Sequence, residues 1–403
     1  MSAVHVLQHQ KKEKKKKNET QTNNAPPSPP ETASDQDHDH NNKVHEDEDD
    51  YNALITSLPR TATAPLWEQM AALNPRTPRP QSVPHIWRYS AIRPQILRAG
   101  AVVPEEKAER RVLMLLNPAM RPPYTTDTLY AGLQLVNPGE VAPAHRHVAV
   151  ATRFVVEAPA PQPSLSEVDE AGDGDGERGP QTAFTAIQGR RIAMAVHDLI
   201  VTPRWTWHDH GNRGSSPVIW LDGLDLPSFQ HAPVHFVEHF AQSRYPATEA
   251  RRDDCGWVVP WARMKGWLDE AVKGKGKGKG EGGAYVEKRY GKPDGSEITA
   301  TLGALAARIA AGASSPMKRE TSSAVWHVVA GKGRTEVDGE TMRWERGDTI
   351  AVPAWMEWRH VADEVQEEGD GAAYLFRFDD LPMLKAFGWY RVEGEDLEAL
   401  ADE

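Results

Sequence analysis

The chain has 403 residues, a formal net charge of −11 at pH 7 and a hydrophobic content of 39%. Its length allows two domains, and its acidic balance argues against a general nucleic-acid binder. A single cysteine excludes a disulfide framework, and no uninterrupted apolar run is long enough to predict a membrane-spanning helix.

The first 58 residues predict a disordered, low-complexity tail. Residues 11–17 are almost wholly basic and residues 35–50 are largely acidic, so neither stretch can form a core. The basic run would also suit a nuclear localisation signal, although a solvated polyampholyte is the simpler interpretation. Because the N-terminus lacks the apolar core of a secretory signal, we expect a soluble, cytoplasmic protein.

Ordered structure is predicted from residue 59 onward. Residues 59–105 predict a helical or extended arm, with helical spacing over residues 66–73. Short β-strands follow, separated by Pro, Gly and Asn, at residues 111–116, 128–136 and 152–156. Residues 158–180 are first Pro-rich and then rich in Gly, Asp and Glu, which predicts a surface insertion.

Helical spacing returns in the middle of the chain, at residues 257–268 and 298–311. Between them, alternating Lys and Gly at residues 273–280 predict a flexible loop. We therefore expect residues 243–300 to be a helical linker. A second β-rich block runs from about residue 323 to residue 378.

An internal repeat relates the two β-rich blocks. Residues 197–210 match residues 347–360 at a constant offset of 150, and residues 153–156 match residues 326–329 at an offset of 173. The difference of 23 is the length of the acidic insertion. Two copies of one β-module explain this pattern. We predict a mainly β fold with the first module at residues 106–242 and the second at 301–403.

Histidines in the first module have the spacing of a metal site. His145 and His147 alternate along a predicted strand, so both imidazoles project from the same face. A third imidazole would come from the Trp-His-Asp-His-Gly string, as His208 or His210. Three nitrogen ligands leave other positions on the metal open, as a catalytic metal requires if substrate and a small gas molecule bind together. A structural metal would instead have four protein ligands.

The second copy of the repeat lacks these candidate ligands. Lys318 and Glu320 stand where His145 and His147 would fall, and Trp358 replaces the third histidine. His360 alone survives. We therefore expect a catalytic first module that holds one metal and a degenerate, structural second module.

Another set of histidines offers an alternative site. His231, His235 and His239 recur every four residues, which would place three imidazoles on one face of a helix. Pro233 disfavours a helix there. The site in the first module therefore remains the preferred one.

Three strings in the first module carry a family resemblance. They read Gly-Glu-Val-Ala-Pro-Ala-His-Arg-His at 139–147, Trp-Thr-Trp-His-Asp-His-Gly at 205–211 and Trp-Leu-Asp-Gly-Leu-Asp at 220–225. With these strings the chain resembles the gentisate 1,2-dioxygenases, bicupin enzymes that cleave aromatic rings with non-haem Fe(II). The resemblance spans about residues 60–400. It implies two antiparallel jelly-roll barrels, one Fe(II) per chain and a homo-oligomer, a tetramer in this family.

The resemblance also implies roles for individual residues. The implied iron ligands are His145, His147 and His208. His210 would contact the substrate without binding iron, Arg153 would bind the substrate carboxylate, and Asp222 would be an active-site aspartate. Tyr130 would line the substrate pocket. A further arginine near the substrate would be Arg111, with Arg110 as the alternative.

The implied reaction is cleavage of the gentisate ring by O₂ between the carboxyl- and hydroxyl-bearing carbons, giving maleylpyruvate. Residues 148–152 are mostly apolar where the family commonly has Ser or Gln, which leaves the substrate preference open. The alternatives are a salicylate or 1-hydroxy-2-naphthoate 1,2-dioxygenase, or a cupin that binds a metal and a ligand without turnover. We expect no nucleic-acid or membrane partner.

Overall fold

The computed structural model describes residues 36–159, 182–252, 256–275, 283–292, 294–365 and 371–394. Its α-helices are α1 Gln36–Ser57, α2 Leu66–Leu73, α3 Tyr89–Val102, α4 Glu105–Ala108, α5 Trp261–Lys275 and α6 Leu381–Ala386. Short 3₁₀ helices span Leu58–Thr61 and Leu226–Gln230. In the described part of the chain, no helix combines the length and apolar content that a membrane crossing needs.

The β-strands account for most of the regular structure. Those up to residue 224 are β1 His85–Trp87, β2 Arg111–Met114, β3 Tyr130–Val136, β4 Val141–His147, β5 Ala151–Glu157, β6 Ala183–Ile187, β7 Arg190–Ala193, β8 Leu199–Thr202, β9 His208–Asn212 and β10 Val218–Leu224. The later ones are β11 Val237–His239, β12 Thr248–Ala250, β13 Val258–Val259, β14 Tyr285–Arg289, β15 Gly303–Ala310, β16 Ala324–Ala330, β17 Lys332–Val337, β18 Glu340–Glu345, β19 Thr349–Val352, β20 Trp358–Ala362 and β21 Ala372–Asp379.

The strands form two modules, each with two facing sheets. The first module has the strand orders β13-β8-β5-β10-β3-β2 and β11-β4-β9-β6-β7-β12, and its sheets enclose an apolar core. The second has the orders β1-β19-β16-β21-β15-β14 and β18-β17-β20, around a second core. Neighbouring strands are antiparallel except for the parallel pair β7 and β12. The predicted mainly β fold with two jelly-roll modules is confirmed.

The internal repeat is visible in the strand boundaries. β19 and β20 begin and end 150 positions after β8 and β9, and β16 does so 173 positions after β5. The loops between the paired strands also match, because Trp205 and Trp355 both have left-handed backbones, with φ of 56° and 59°. A bulky residue rarely adopts this conformation. The two copies therefore share one turn geometry as well as one strand pattern.

Two predicted segments differ from the structure. The helix predicted over residues 298–311 is wrong, because β15 occupies Gly303–Ala310 and pairs with β14 and β21. Alanines there are buried between neighbouring strands, and this tertiary packing overrides their helix propensity. The predicted linker, residues 243–300, also contributes β12 and β13 to the first module and β14 to the second.

The predicted disordered N-terminal tail differs from the structure over the residues that the structure describes. Residues 1–35 of the predicted tail and almost all of the insertion lie outside the described residues. Gln36–Ser57, predicted to be disordered, form α1. That prediction rested on a shortage of apolar residues, which excludes a packed core but does not exclude a helix.

A shared apolar core joins the two modules. Phe154 of β5 and Phe376 of β21 stack with their ring centroids 4.1 Å apart and their planes 12° from parallel. Both side chains are fully buried in a cluster that draws residues from both modules. Residues 75–403 accordingly form one compact unit.

This packing predicts a large effect of one core substitution. Phe376→Ala should lower the free energy of unfolding by about 3–5 kcal/mol, because it removes a buried ring and leaves a cavity between the modules. Urea denaturation followed by tryptophan fluorescence measures the change. Phe387→Ala is the control, since that ring is 59% exposed and its removal should cost less than about 0.5 kcal/mol. Equal losses in the two variants would contradict the shared core.

Candidate metal centre

Three histidines converge inside the first module. β4 presents His145 and His147 on one face, and β9 pairs with it so that His145 lies opposite His208. The candidate ligand atoms of these three residues all lie within 4.8 Å of one another. The register shifts between Ala142 and His145, an irregularity of the kind that re-aims side chains at functional sites.

The backbone fixes the orientation of each imidazole. Each Nδ1 is within hydrogen-bond distance of a carbonyl oxygen two residues away: 2.9 Å from His145 to Pro143, 2.7 Å from His147 to Ala149 and 2.8 Å from His208 to Thr206. A ring that donates from Nδ1 keeps the lone pair of Nε2 for a metal. Nε2 of His208 is buried, with no hydrogen-bond partner among the described residues. The three side chains therefore fit a metal ion.

Burial keeps these imidazoles neutral. It lowers the pKa of His145 to about 2, with the positive charge of Arg110 as the next cause. Burial is also the main reason that the pKa of His147 falls to about 4 and that of His208 falls well below its usual value. Metal binding requires the neutral ring. All three are thus in the ligand form at neutral pH.

His210 lies beside this group but is arranged differently. Its ring centroid is 5.8 Å from that of His208 and 5.2 Å from that of Trp220. The side chain is fully buried, and neither ring nitrogen has a hydrogen-bond partner among the described residues. Burial, and then the charge of Arg153, hold its pKa well below the usual range. A neutral imidazole with both nitrogens available can contact a bound molecule.

Arg153 and Asp222 form a buried ion pair next to the histidines. They are cross-strand partners on β5 and β10, with Nε of Arg153 3.3 Å from Oδ1 of Asp222. Arg153 also donates from Nη1 to the Thr202 hydroxyl, and the Trp220 indole donates to Asp222 at 3.0 Å. Burial raises the pKa of Asp222 to about 6, although Arg153 opposes the shift. Asp222 therefore fixes the position of the arginine.

Arg110 and Tyr130 complete this region. Burial lowers the pKa of Arg110 to about 10, and the nearby charge of Arg153 acts in the same direction. Burial and then Asp222 raise the pKa of the Tyr130 phenol. Two guanidinium groups thus accompany a single buried carboxylate, Asp222, beside neutral imidazoles. The region carries an excess of positive charge, which suits an anionic ligand.

Arg111 is not part of this group. Its guanidinium pairs with Glu140, at 2.6 Å from Nη1 and 3.0 Å from Nη2, and donates to the Val103 carbonyl. Adjacent residues at the start of a strand point to opposite sides, so only one of two neighbouring arginines can face the histidines. The structure therefore does not bring Arg111, the arginine predicted to lie near the substrate, to the histidines; Arg110 lies in this region instead.

Two further polar residues belong to the site and were missed in the sequence. Gln134 is buried on the same face of β3 as Tyr130, and its side-chain Nε2 has no hydrogen-bond partner among the described residues. Thr202 holds Arg153, as described above. The alternation of β3 was a usable signal for Gln134, because it lies four residues after Tyr130. No local pattern pointed to Thr202, which reaches Arg153 from another strand.

In the second module, other interactions occupy the matching positions. Lys318 pairs with Glu287 at 2.9 Å, and Glu320 pairs with Arg377 at 2.9 Å. The indole of Trp358 is buried in the core. The alternative histidines also fail to assemble: His239 lies in β11, not in a helix, and His231, His235 and His239 form no candidate metal group within the described ranges.

Comparisons with known proteins agree with this geometry. Residues 306–367 match the family described as the Cupin domain. The chain is 31% identical to a 5-aminosalicylate 1,2-dioxygenase of Comamonas sp. over 85% of its own length and 90% of the relative's. It is 30% identical to gentisate 1,2-dioxygenase 1 of Aquipseudomonas alcaligenes, over 81% of its own length and 92% of the relative's. The chain also superposes on a solved structure of the salicylate 1,2-dioxygenase from Pseudoaminobacter salicylatoxidans, an adduct with gentisate. The TM-score is 0.71 at 30% identity, and the match covers 86% of this chain and 94% of that one.

Proposed function

The chain belongs to the family of ring-cleaving 1,2-dioxygenases that includes the gentisate and salicylate enzymes, and we propose that it cleaves the gentisate ring with O₂ and Fe(II). The bond broken lies between the carboxyl- and hydroxyl-bearing carbons, and the product is maleylpyruvate. One observation carries the proposal: three converging neutral imidazoles lie beside two arginines and a single buried carboxylate.

His145, His147 and His208 are the residues that would hold the iron. Fe(II) on three neutral nitrogen ligands supplies redox chemistry for O₂ and open positions for a chelating substrate. The protein's own contribution is orientation. The carbonyl contacts at Nδ1 fix each ring before metal binding, so little side-chain entropy is lost when the metal enters.

Arg153 would bind the substrate carboxylate. A guanidinium can form two parallel hydrogen bonds with a carboxylate, which fixes both position and ring orientation. Asp222 and Thr202 hold this side chain in place, and Arg110 adds a second positive charge. Tyr130 would line the ring-binding region. The excess positive charge favours an acid over a neutral ligand, which would leave that charge without compensation.

His210 would act on the substrate's oxygen atoms. Its two ring nitrogens have no protein partner within the described residues, so either can hold a proton for a phenolic oxygen. Burial keeps this imidazole neutral, so it can donate a hydrogen bond from one ring nitrogen and accept one at the other. General acid–base help of this kind typically accelerates a reaction by about 10²–10⁴-fold.

The direct test is an oxygen-uptake assay. Protein loaded with Fe(II) without air, then mixed with O₂ and gentisate, should consume O₂ and form the ultraviolet chromophore of a ring-opened product. A parallel series with salicylate and 1-hydroxy-2-naphthoate ranks the substrates by kcat/KM. Salicylate-type acids are the second candidates, because two similar proteins are a 5-aminosalicylate and a salicylate 1,2-dioxygenase. Binding of these acids without O₂ uptake would show a ligand-binding cupin without turnover.

The carboxylate contact gives a separate prediction. Arg153→Gln should retain its iron but bind gentisate more weakly by about 2–5 kcal/mol, because the substrate charge loses a buried partner. Calorimetric titration of the iron-loaded protein without O₂ measures this. Arg343→Gln is the control, since that side chain is 71% exposed in the second module. Unchanged gentisate binding in Arg153→Gln would assign the carboxylate to Arg110 instead.

A further inference from the structure

Arg146 lies between the two β4 histidines in sequence but on the opposite face of the strand. Its guanidinium carbon is 4.6 Å from the ring centroid of Trp205 and also 4.6 Å from that of Trp207. It also pairs with Glu238 on β11, at 2.9 Å from Nε and 2.6 Å from Nη2. We call Arg146, Trp205, Trp207 and Glu238 the arginine clamp.

The arginine clamp joins the three segments nearest to the histidines. Arg146 belongs to β4, and Glu238 is its cross-strand partner on β11. Trp205 donates its backbone N–H to the carbonyl of His147 at 2.9 Å. Trp207 immediately precedes His208. The relative position of the two histidine-bearing segments therefore depends on contacts made behind the site, outside the barrel interior.

Aromatic rings pack around the two tryptophans of the clamp, and the Arg146 side chain is 27% exposed. Trp205 packs on Phe236 at 4.5 Å, while Trp207 packs on Phe240 at 5.1 Å and on Tyr245 at 5.9 Å. Attraction between a cation and an indole face strengthens as water is excluded, from about 0.5–1 kcal/mol at open sites to about 2 kcal/mol or more. The guanidinium plane is well matched to two such faces, whereas an ammonium group is not.

The second module provides an internal comparison. Arg319 and Trp355 occupy the positions of Arg146 and Trp205, and Trp355 donates to the Glu320 carbonyl at 2.6 Å as Trp205 does to His147. Arg319 donates to the Trp355 carbonyl at 3.0 Å. Glu357 replaces the second tryptophan, so the double stack cannot form.

This comparison distinguishes the features that serve the shared fold from those found only beside the three histidines. Both modules keep the arginine, the left-handed tryptophan and its backbone hydrogen bond, so those features serve the shared turn. The double indole stack occurs in the module that holds the three histidines and is lost where the histidines are lost. We infer that Arg146 is a positioning residue for the metal centre. The clamp fixes the turn at Thr206, whose carbonyl orients the His208 ring, against β4.

This inference rests on the proposed metal site, so metal binding is measured directly. Arg146→Met keeps an unbranched apolar side chain but removes the planar charge. We expect it to weaken Co(II) binding, followed by visible absorption, by about tenfold or more, the effect typical of groups behind metal ligands. The metal-free protein should unfold within about 3 °C of the wild type, since little of the core is lost.

Arg319→Met is the matched control and should bind Co(II) with wild-type affinity and spectrum. Arg146→Lys keeps the charge without the planar stack, and its affinity should fall between those of Arg146→Met and the wild type. If Arg146→Met binds Co(II) as the wild type does, with the same absorption bands, the inference is overturned. Failure of the wild type itself to bind Co(II) would instead overturn the proposed function.

If Arg146→Met does not fold, Trp207→Phe provides a second test, because it keeps more of the packing. Trp207→Phe retains an aromatic ring but offers the guanidinium a weaker π face. We expect a loss of Co(II) affinity in the folded variant. Wild-type affinity in Trp207→Phe would equally overturn the inference.

Discussion

His208→Ala is expected to abolish both metal binding and turnover. The three imidazoles converge from two strands, and His208 is the member that β9 supplies. Its Nε2 has no hydrogen-bond partner within the described residues, so this atom is available to a metal. Two histidines alone do not provide the three-nitrogen set that the proposed chemistry needs. Metal analysis after Fe(II) loading should find about one iron per wild-type chain and almost none in the variant.

His360→Ala is the matched control for this prediction. His360 is the repeat counterpart of His210 in the second module, and its Nδ1 contacts the Thr335 hydroxyl at 2.8 Å. The variant should keep its full iron content, because none of the neighbouring repeat positions supplies another imidazole. Two irons per wild-type chain, or loss of iron in His360→Ala, would contradict the assignment of the metal to the first module.

His210→Ala should have the second-largest effect, a fall in kcat of about 10²–10⁴-fold with iron retained. The residue adjoins the His208 ring but keeps both nitrogens available, so it can serve the reacting oxygen atoms without binding the metal. Gentisate affinity should change much less than kcat, since Arg153 supplies the carboxylate contact. Single-turnover kinetics of the iron-loaded variant separate binding from the chemical step.

His231→Ala, which changes an exposed histidine outside the β-strands, controls for nonspecific effects and should react at the wild-type rate. An empty metal site in His210→Ala, combined with a full one in His208→Ala, would reverse the assignment of the third ligand. A rise in KM with an unchanged kcat would instead make His210 a substrate-binding residue only.

The convergence of the histidines could be predicted because it depends on local rules. Alternation along one strand places His145 and His147 on one face, and the repeat identifies the strand that carries His208. The repeat also relates residues 197–210 to residues 347–360, and the matching residues adopt matching backbones even at an unusual tryptophan.

Other features depend on contacts that are distant in sequence. Ala304, Ala306 and Ala307 have high helix propensity, yet all three are buried in β15 between strands from other parts of the chain. Which of Arg110 and Arg111 faces the histidines depends on the residue at which β2 begins, because side chains alternate between the two faces of a strand. Glu109, directly before Arg110, has a φ of 47°, and no sequence rule predicts a positive φ at a glutamate.

The pairing of β1 with β19 has a consequence for synthesis of the protein. His85 lies opposite Ala351, so a strand made early completes a sheet whose other strands are made late. At about 5–20 residues per second, a ribosome needs roughly 15–50 s to travel between these two positions. During that interval the edge of β1 has no partner and is open to pairing with other chains. We therefore expect nascent chains stopped before residue 349 to aggregate or to require a chaperone, even though they contain all three histidines of the candidate metal centre.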